Sequence, residues 1–245
     1  MNINAFAITS LAGISTILGL FILNGKREEG IIPKALGFSA GVMVFVSLFD
    51  LLPSSIQYFQ NEFIIGFHFL FCILFILLGF LISILMNEAV HKRIESSNNL
   101  YQIGILSMIA IIFHNIPEGI ITYLTTTIEY KTGLLLAFSI ACHNIPEGIC
   151  IAVPIYYSTK KKWKAIKAVL LSAISEPVGA FIAYLFLQDN LSNLMIGIFL
   201  ALVAGIMISL AIMEILPEAK KYSLKDTLQY FLYGFGILLL SHLLF

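Results

Sequence analysis

Charge is what this 245-residue chain has least of: 11% of its residues are Asp, Glu, Lys or Arg, against about 25% in ordinary soluble domains. So little charge cannot solvate the surface of a soluble fold of this length. The formal net charge is zero, which removes any general electrostatic argument for a nucleic-acid partner. Cysteine is scarce as well. The three present, Cys72, Cys142 and Cys150, fall in apolar runs without C-x-x-C spacing, so they read as small buried apolar side chains with no redox or structural-zinc role. There is no H-E-x-x-H string, no low-complexity tract and no polar stretch long enough for a soluble domain. The segment from Met1 to Leu23 lacks a basic start and a small-residue cleavage signature, and is expected to be a retained span.

What is there is apolar. Hydrophobic residues make up 59% of the chain and the mean hydropathy is +0.96, so the chain is an integral membrane protein. Runs of about 20 apolar residues, enough to cross a hydrocarbon core of ~30 Å, are read at 4–24, 33–53, 63–86, 101–124, 133–157, 164–187, 193–216 and 227–245. The expected fold is therefore all-α: one transmembrane domain over residues 1–245, with eight helices and short connections. Alternate loops hold Lys26, Arg27 and Lys34; Lys92 and Arg93; Lys160, Lys161, Lys162, Lys164 and Lys167; and Lys220, Lys221 and Lys225. The opposite set holds only Lys131. The Lys/Arg-rich side is the cytoplasmic one, which puts both termini outside. Gly41-Val-Met-Val-Phe-Val-Ser-Leu-Phe-Asp50-Leu-Leu-Pro53 aligns without gaps on Gly205-Ile-Met-Ile-Ser-Leu-Ala-Ile-Met-Glu214-Ile-Leu-Pro217. These two segments run in opposite senses, the signature of an inverted repeat.

One string occurs twice: His114-Asn115-Ile116-Pro117-Glu118-Gly119 and His143-Asn144-Ile145-Pro146-Glu147-Gly148. Each copy lies near the middle of a span, where an ionisable side chain costs about 2.5–3.5 kcal/mol or more. Helical spacing puts His, Asn and Glu of each copy on one face. Neutral imidazole, amide oxygen and carboxylate suit Zn²⁺, Fe²⁺, Co²⁺ or Mn²⁺ better than Cu⁺. Pro117 and Pro146 free the carbonyls of Phe113 and Cys142. Glu176, again followed by proline, adds a third carboxylate at similar depth. Three carboxylates at one level repel in a low dielectric and require cations, protons or both. Toward the span ends, Asp50 and Glu214 are candidate guides for cation admission and release. Glu88 and His91, three apart, make a candidate weak release site. His68 and His242, with no acidic neighbour in sequence, read as structural.

The doubled HN-x-P-E-G string, the Glu-Pro of span 6 and the eight-span layout resemble the ZIP (Zrt/Irt-like) divalent-metal transporters. The similarity is greatest to the bacterial zinc-uptake branch and is most specific over residues 110–180. The resemblance implies a binuclear centre at the midplane, with His114, Glu118, His143 and Glu147 in one site. Asn115, Asn144 and Glu176 would hold the second ion, bridged by Glu118 and Glu147. It implies uptake of Zn²⁺, and of Fe²⁺, Mn²⁺, Co²⁺ or Cd²⁺ as further substrates, across a prokaryotic plasma membrane. The family often associates as dimers, so a homodimer is the implied assembly. Some members have Gln-Asp in place of the second His-Asn, and many eukaryotic members carry a His-rich loop between spans 3 and 4. Here that loop runs only from Asn87 to Asn99 with the single His91, so no such sensor is expected. The competing class is an intramembrane metal-dependent hydrolase. Such an enzyme needs one constellation, not two copies on antiparallel helices.

Overall fold

The computed structural model describes residues 1–25, 28–60, 66–93, 99–187 and 192–244, and these are helical almost throughout. Among the described residues, seven helices are long and apolar enough to cross a membrane: α1 (Ile3–Asn24), α2 (Ile31–Gln60), α3 (Phe67–Arg93), α4 (Asn99–Ile128), α5 (Tyr130–Thr159), α6 (Lys162–Phe186) and α7 (Asn193–Tyr222). An eighth, α8 (Leu224–Leu244), has 21 residues and so matches a hydrocarbon core in length. Its first turns carry Lys225, Asp226 and Gln229. The helices overrun most of the spans read from hydropathy by up to two turns, since helix continues past the apolar stretch. Lys26, Arg27 and the expected start of the third span at 63–65 lie outside the described residues.

The helices pair closely where glycine removes the side chain. A Cβ on Gly119 would fall on the carbonyl of Glu176 in α6, and one on Gly179 would fall on the carbonyl of Ile116 in α4. The same arrangement joins the other motif helix to α1: Gly148 lies against the carbonyl of Thr16, and Gly19 against the backbone of Gly148. Gly41 of α2 meets the backbone of Phe231 in α8, and Gly205 of α7 meets that of Ile76 in α3. Where lipid is as apolar as the core, such backbone approach is a main source of helix association.

Within α2 and α7 the α-helix widens to a π-turn over Val46–Leu51 and Leu210–Ile215. Leu52 N–H bonds the carbonyl of Ser47, and Leu216 N–H that of Ala211. In each case a proline follows at once, Pro53 or Pro217. Its ring crowds the carbonyl four residues back, and the wider turn relieves that contact. The two π-turns fall at matching positions of the two aligned segments and carry Asp50 and Glu214.

The largest core cluster is built by α2, α4, α5 and α7. Cys72 and Cys150 are buried as expected, but Cys142 is exposed on the bundle surface. A lipid-facing surface is as apolar as the core, so composition cannot tell these two fates apart.

Candidate metal centre

Each motif is tied to neighbouring helices by hydrogen bonds. On α4, Asn115 donates its amide to the carbonyl of Ser172 in α6 at 3.4 Å. On α5, Asn144 donates to the carbonyl of Ala12 in α1 at 3.0 Å and to Glu176 Oε2 at 2.9 Å. Ser39 of α2 donates its hydroxyl to the carbonyl of Pro146 at 2.7 Å, fixing the turn that presents Glu147. With both amide nitrogens so engaged, the oxygens Asn115 Oδ1 and Asn144 Oδ1 are left buried and unpaired.

The imidazoles and carboxylates converge between α4 and α5. Glu118 Oε1 lies 3.2 Å from His114 Nε2 and 3.2 Å from His143 Nε2. His114 Nε2 also lies 3.4 Å from Glu147 Oε1. One ligand atom from each of His114, Glu118 and His143 fits within 4.8 Å, the span of a single metal ion's shell. Glu176 feels the charges of both Glu118 and Glu147. The structure thus brings His114, Glu118, His143 and Glu147 into one group and sets Asn144 with Glu176 beside it. Asn115 is joined to α6 through Ser172.

All seven residues are at least nine-tenths buried. Yet Glu118 Oε2, both carboxylate oxygens of Glu147, Glu176 Oε1 and the two amide oxygens have no hydrogen-bond partner among the described residues. Leaving one buried polar atom unpaired costs about 1–3 kcal/mol, more for a charged group. A cluster of six such acceptors, with two imidazoles, fits a divalent cation in donor type and number.

A cavity of about 540 Å³ reaches this group from the lysine-poor end. Glu118 and His143 lie at its floor, and Asp50, Gln57, Thr125, Ser139 and His242 line its walls. His242 Nδ1 stands 3.7 Å from Asp50 Oδ1 across the gap between α8 and α2. Asp50, read from the sequence as lying near a span end, and His242, read as structural, both line the cavity. The acidic neighbour of His242 lies in another helix, and no local pattern could have shown it. On the other side of the centre, Ser107, Ala110 and Ile111 of α4 and Cys150 and Ile151 of α5 are all at most 2% exposed. Among the described residues, that flank is packed next to the centre.

The expected Glu88–His91 site does not form as such. Glu88 pairs with Lys92 at 3.8 Å, both exposed, and His91 Nδ1 faces the carbonyl of Asn87 at 3.0 Å. Spacing of three allowed the first pairing; spacing of four, with opposite charge, won. Glu214 instead accepts from the Asn87 amide at 2.5 Å, within electrostatic reach of His91 and Lys221. His68 is buried against the ring of Phe69, with 4.2 Å between ring centres.

Comparison with known proteins agrees with this geometry. The family described as ZIP Zinc transporter matches residues 87–243. A protein named zinc transporter ZupT from Xanthomonas axonopodis pv. citri (strain 306) is 40% identical, over 98% of this chain and 94% of its own length. Its namesake in Stenotrophomonas maltophilia (strain R551-3) is 38% identical, over 98% and 95%. That of Oceanobacillus iheyensis is 39% identical, over 89% and 88%.

Proposed function

Because this chain belongs to the ZIP zinc-transporter family, a family of transporters and not of enzymes, we propose that it carries zinc across a prokaryotic plasma membrane into the cytoplasm. Fe²⁺, Mn²⁺, Co²⁺ and Cd²⁺ are its further substrates. The observation that carries this reading is the buried set of unpaired acceptors, which a cavity from the lysine-poor end reaches at Glu118.

In this reading the cargo binds as a pair of ions. His114, Glu118, His143 and Glu147 hold the first. Asn115, Asn144 and Glu176 hold the second, with Glu118 and Glu147 bridging. The unpaired amide oxygens and Glu176 Oε1 support the second site. Nitrogen and oxygen donors exchange more readily than a thiolate cage, so the ion can leave. The ligands must be deprotonated to bind, so zinc displaces protons as it enters and acid opposes uptake.

The α8 helix serves as an eighth span, with both termini outside and the halves related as an inverted repeat. The paired π-turns, and the way Gly119–Gly179 and Gly148–Gly19 repeat one packing, support that relation. The lysine-poor, open end is then the outside. Asp50 and His242 meet the hydrated ion first, while Glu214 stands near the cytoplasmic end. Replacing both Asp50 and His242 by alanine is expected to raise the half-saturating zinc concentration about fivefold, as local cation enrichment is lost. Initial-rate uptake against zinc concentration measures this; an unchanged half-saturation would remove the pair from the route.

Expression in a bacterium deleted for its own zinc uptake tests the function as a whole. Zinc accumulation should rise with the wild-type chain and fall as the medium is acidified from neutral. Accumulation no higher than in cells with an empty vector would contradict the proposal.

A further inference from the structure

One corner of the bundle carries charge that neither the metal centre nor an ion pair uses. Between α5 and α6 the chain reads Lys160-Lys161-Lys162-Trp163-Lys164-Ala165-Ile166-Lys167. The other loops at the lysine-rich end mix the two signs. Glu28 and Glu29 follow Lys26 and Arg27, Glu88 precedes Lys92, and Glu218 and Asp226 flank Lys220, Lys221 and Lys225. Here no Asp or Glu occurs between Glu147 and Glu176. Lys92 pairs with Glu88 and Lys221 with Glu218, but among the described residues none of these five lysines enters an ion pair. All five are exposed. Three stand over aromatic rings: Lys160 over Tyr157 at 5.5 Å, Lys164 over Tyr101 at 5.5 Å and Lys167 over Trp163 at 5.2 Å. Membrane orientation calls for basic residues on this side, but it counts Lys and Arg and gives no reason to exclude acids.

The patch borders an apolar groove. A cavity of about 270 Å³ separates the end of α1 from the start of α6. Ile17, Leu18 and Phe21 of α1 and Ile166 of α6 line it, with Asn24 and Lys162 where the two helices end. Ile17 to Asn24 lies in a 3-10 segment, so at a rise of 2.0 Å per residue the groove extends about 14 Å from the lysines into the hydrocarbon. Leu18 and Phe21 are 45% and 68% exposed, so the groove opens on lipid. Trp163 is 61% exposed at the level of the lysines, the depth at which Trp meets headgroups.

We propose that this corner binds an anionic phospholipid of the leaflet on the lysine-rich side. Lys162 at the mouth of the groove and the neighbouring lysines draw its phosphate, and one acyl chain lies along Ile17, Leu18 and Phe21. Each juxtamembrane lysine strengthens attraction to anionic lipid about fivefold. A phosphatidylcholine headgroup brings its own cation, which five unpaired lysines repel, and a soluble anion leaves the groove unfilled. α1 packs Gly19 on the Gly148 backbone, and α6 carries Glu176. A lipid that joins α1 to α6 therefore braces the frame of the metal centre.

The test melts the purified full-length protein in detergent with phosphatidylglycerol or with phosphatidylcholine of the same chains, and counts bound lipid by native mass spectrometry. Phosphatidylglycerol is expected to raise the melting temperature and stay bound, and phosphatidylcholine to do neither. Changing Lys161, Lys162 and Lys164 together to glutamine should weaken phosphatidylglycerol binding about a hundredfold. Lys220→Gln with Lys225→Gln, at another lysine-bearing loop, should leave it as in wild type. Leu18→Trp, which fills the groove and keeps the charge, should also release the lipid. Cooperative unfolding of each lipid-free variant shows that it is folded, and the wild-type comparison of lipids needs no variant. Equal stabilisation by phosphatidylcholine would reduce the corner to a general lipid contact and overturn the proposal. Equal stabilisation by inorganic phosphate or by a glutamate-rich peptide would overturn it in favour of a soluble anion or an acidic protein. Binding within threefold of wild type in the triple lysine variant would overturn it as well.

Discussion

Zinc affinity is expected to fall about a hundredfold or more when Glu118 is changed to glutamine, the equivalent of about 3 kcal/mol. Glu118 is the carboxylate that stands between the two imidazoles, with one oxygen 3.2 Å from each. Glutamine keeps the shape but turns an anionic acceptor into a neutral amide, half of which is a donor facing imidazole nitrogen. Helix packing is untouched, because Gly119 and not Glu118 makes the close approach to α6. The metal-free protein should still unfold cooperatively, so that loss of zinc binding is read apart from loss of the fold. The rise in melting temperature that zinc confers on wild type should be abolished. Titration calorimetry and a melting curve with and without zinc measure both. Affinity within about threefold of wild type, roughly 0.7 kcal/mol, would show that Glu118 does not hold the ion.

The second large effect is steric. Gly148→Val places a branched side chain where the carbonyl of Thr16 already sits, and one turn further along the same helix Gly19 of α1 packs on the Gly148 backbone. Neither obstacle is the tip of a flexible side chain; both are helix backbone. Separating α1 from α5 would also break the Asn144 bond to Ala12 and move Glu147, the adjoining residue. The expected cost is about 3 kcal/mol or more, at the upper end for overpacking. It should appear as a lower melting temperature and aggregation in detergent. Gly236→Ala is the matched control, since nothing lies within 4 Å of the Cβ it would add. A Gly148→Val protein as stable as wild type would mean that α1 and α5 are not packed as described.

The centre itself was legible in the sequence because buried ionisable groups are expensive and the chain repeats them. His114, Glu118, His143, Glu147 and Glu176 declare themselves by depth alone. Helical periodicity contributes far less here than in a soluble protein. Both the core and the lipid face are apolar, so Cys142, which is exposed, and Cys150, which is buried, look alike in sequence. Contacts between distant helices left no local trace either. His242 and Asp50 are brought together by the packing of α8 on α2, and Glu214 and Asn87 by that of α7 on α3. The amide anchors on Ser172 and Ala12 are made to backbone carbonyls, which any residue type supplies. The weak match between Gly41–Pro53 and Gly205–Pro217 hinted at symmetry through four identities. The π-turns that accompany it depend on proline crowding within a packed helix, and became visible only in three dimensions.

The most direct test of the buried cluster as the cargo site is zinc flux through the purified protein. Liposomes loaded with a zinc-sensitive dye would receive wild type or Glu147→Ala, the variant that removes a carboxylate with two unpaired buried oxygens. Saturable dye response with wild type, lost with Glu147→Ala, is the predicted result. Equal flux through both would contradict the account, as would a wild-type protein that binds zinc at these residues and lets none through.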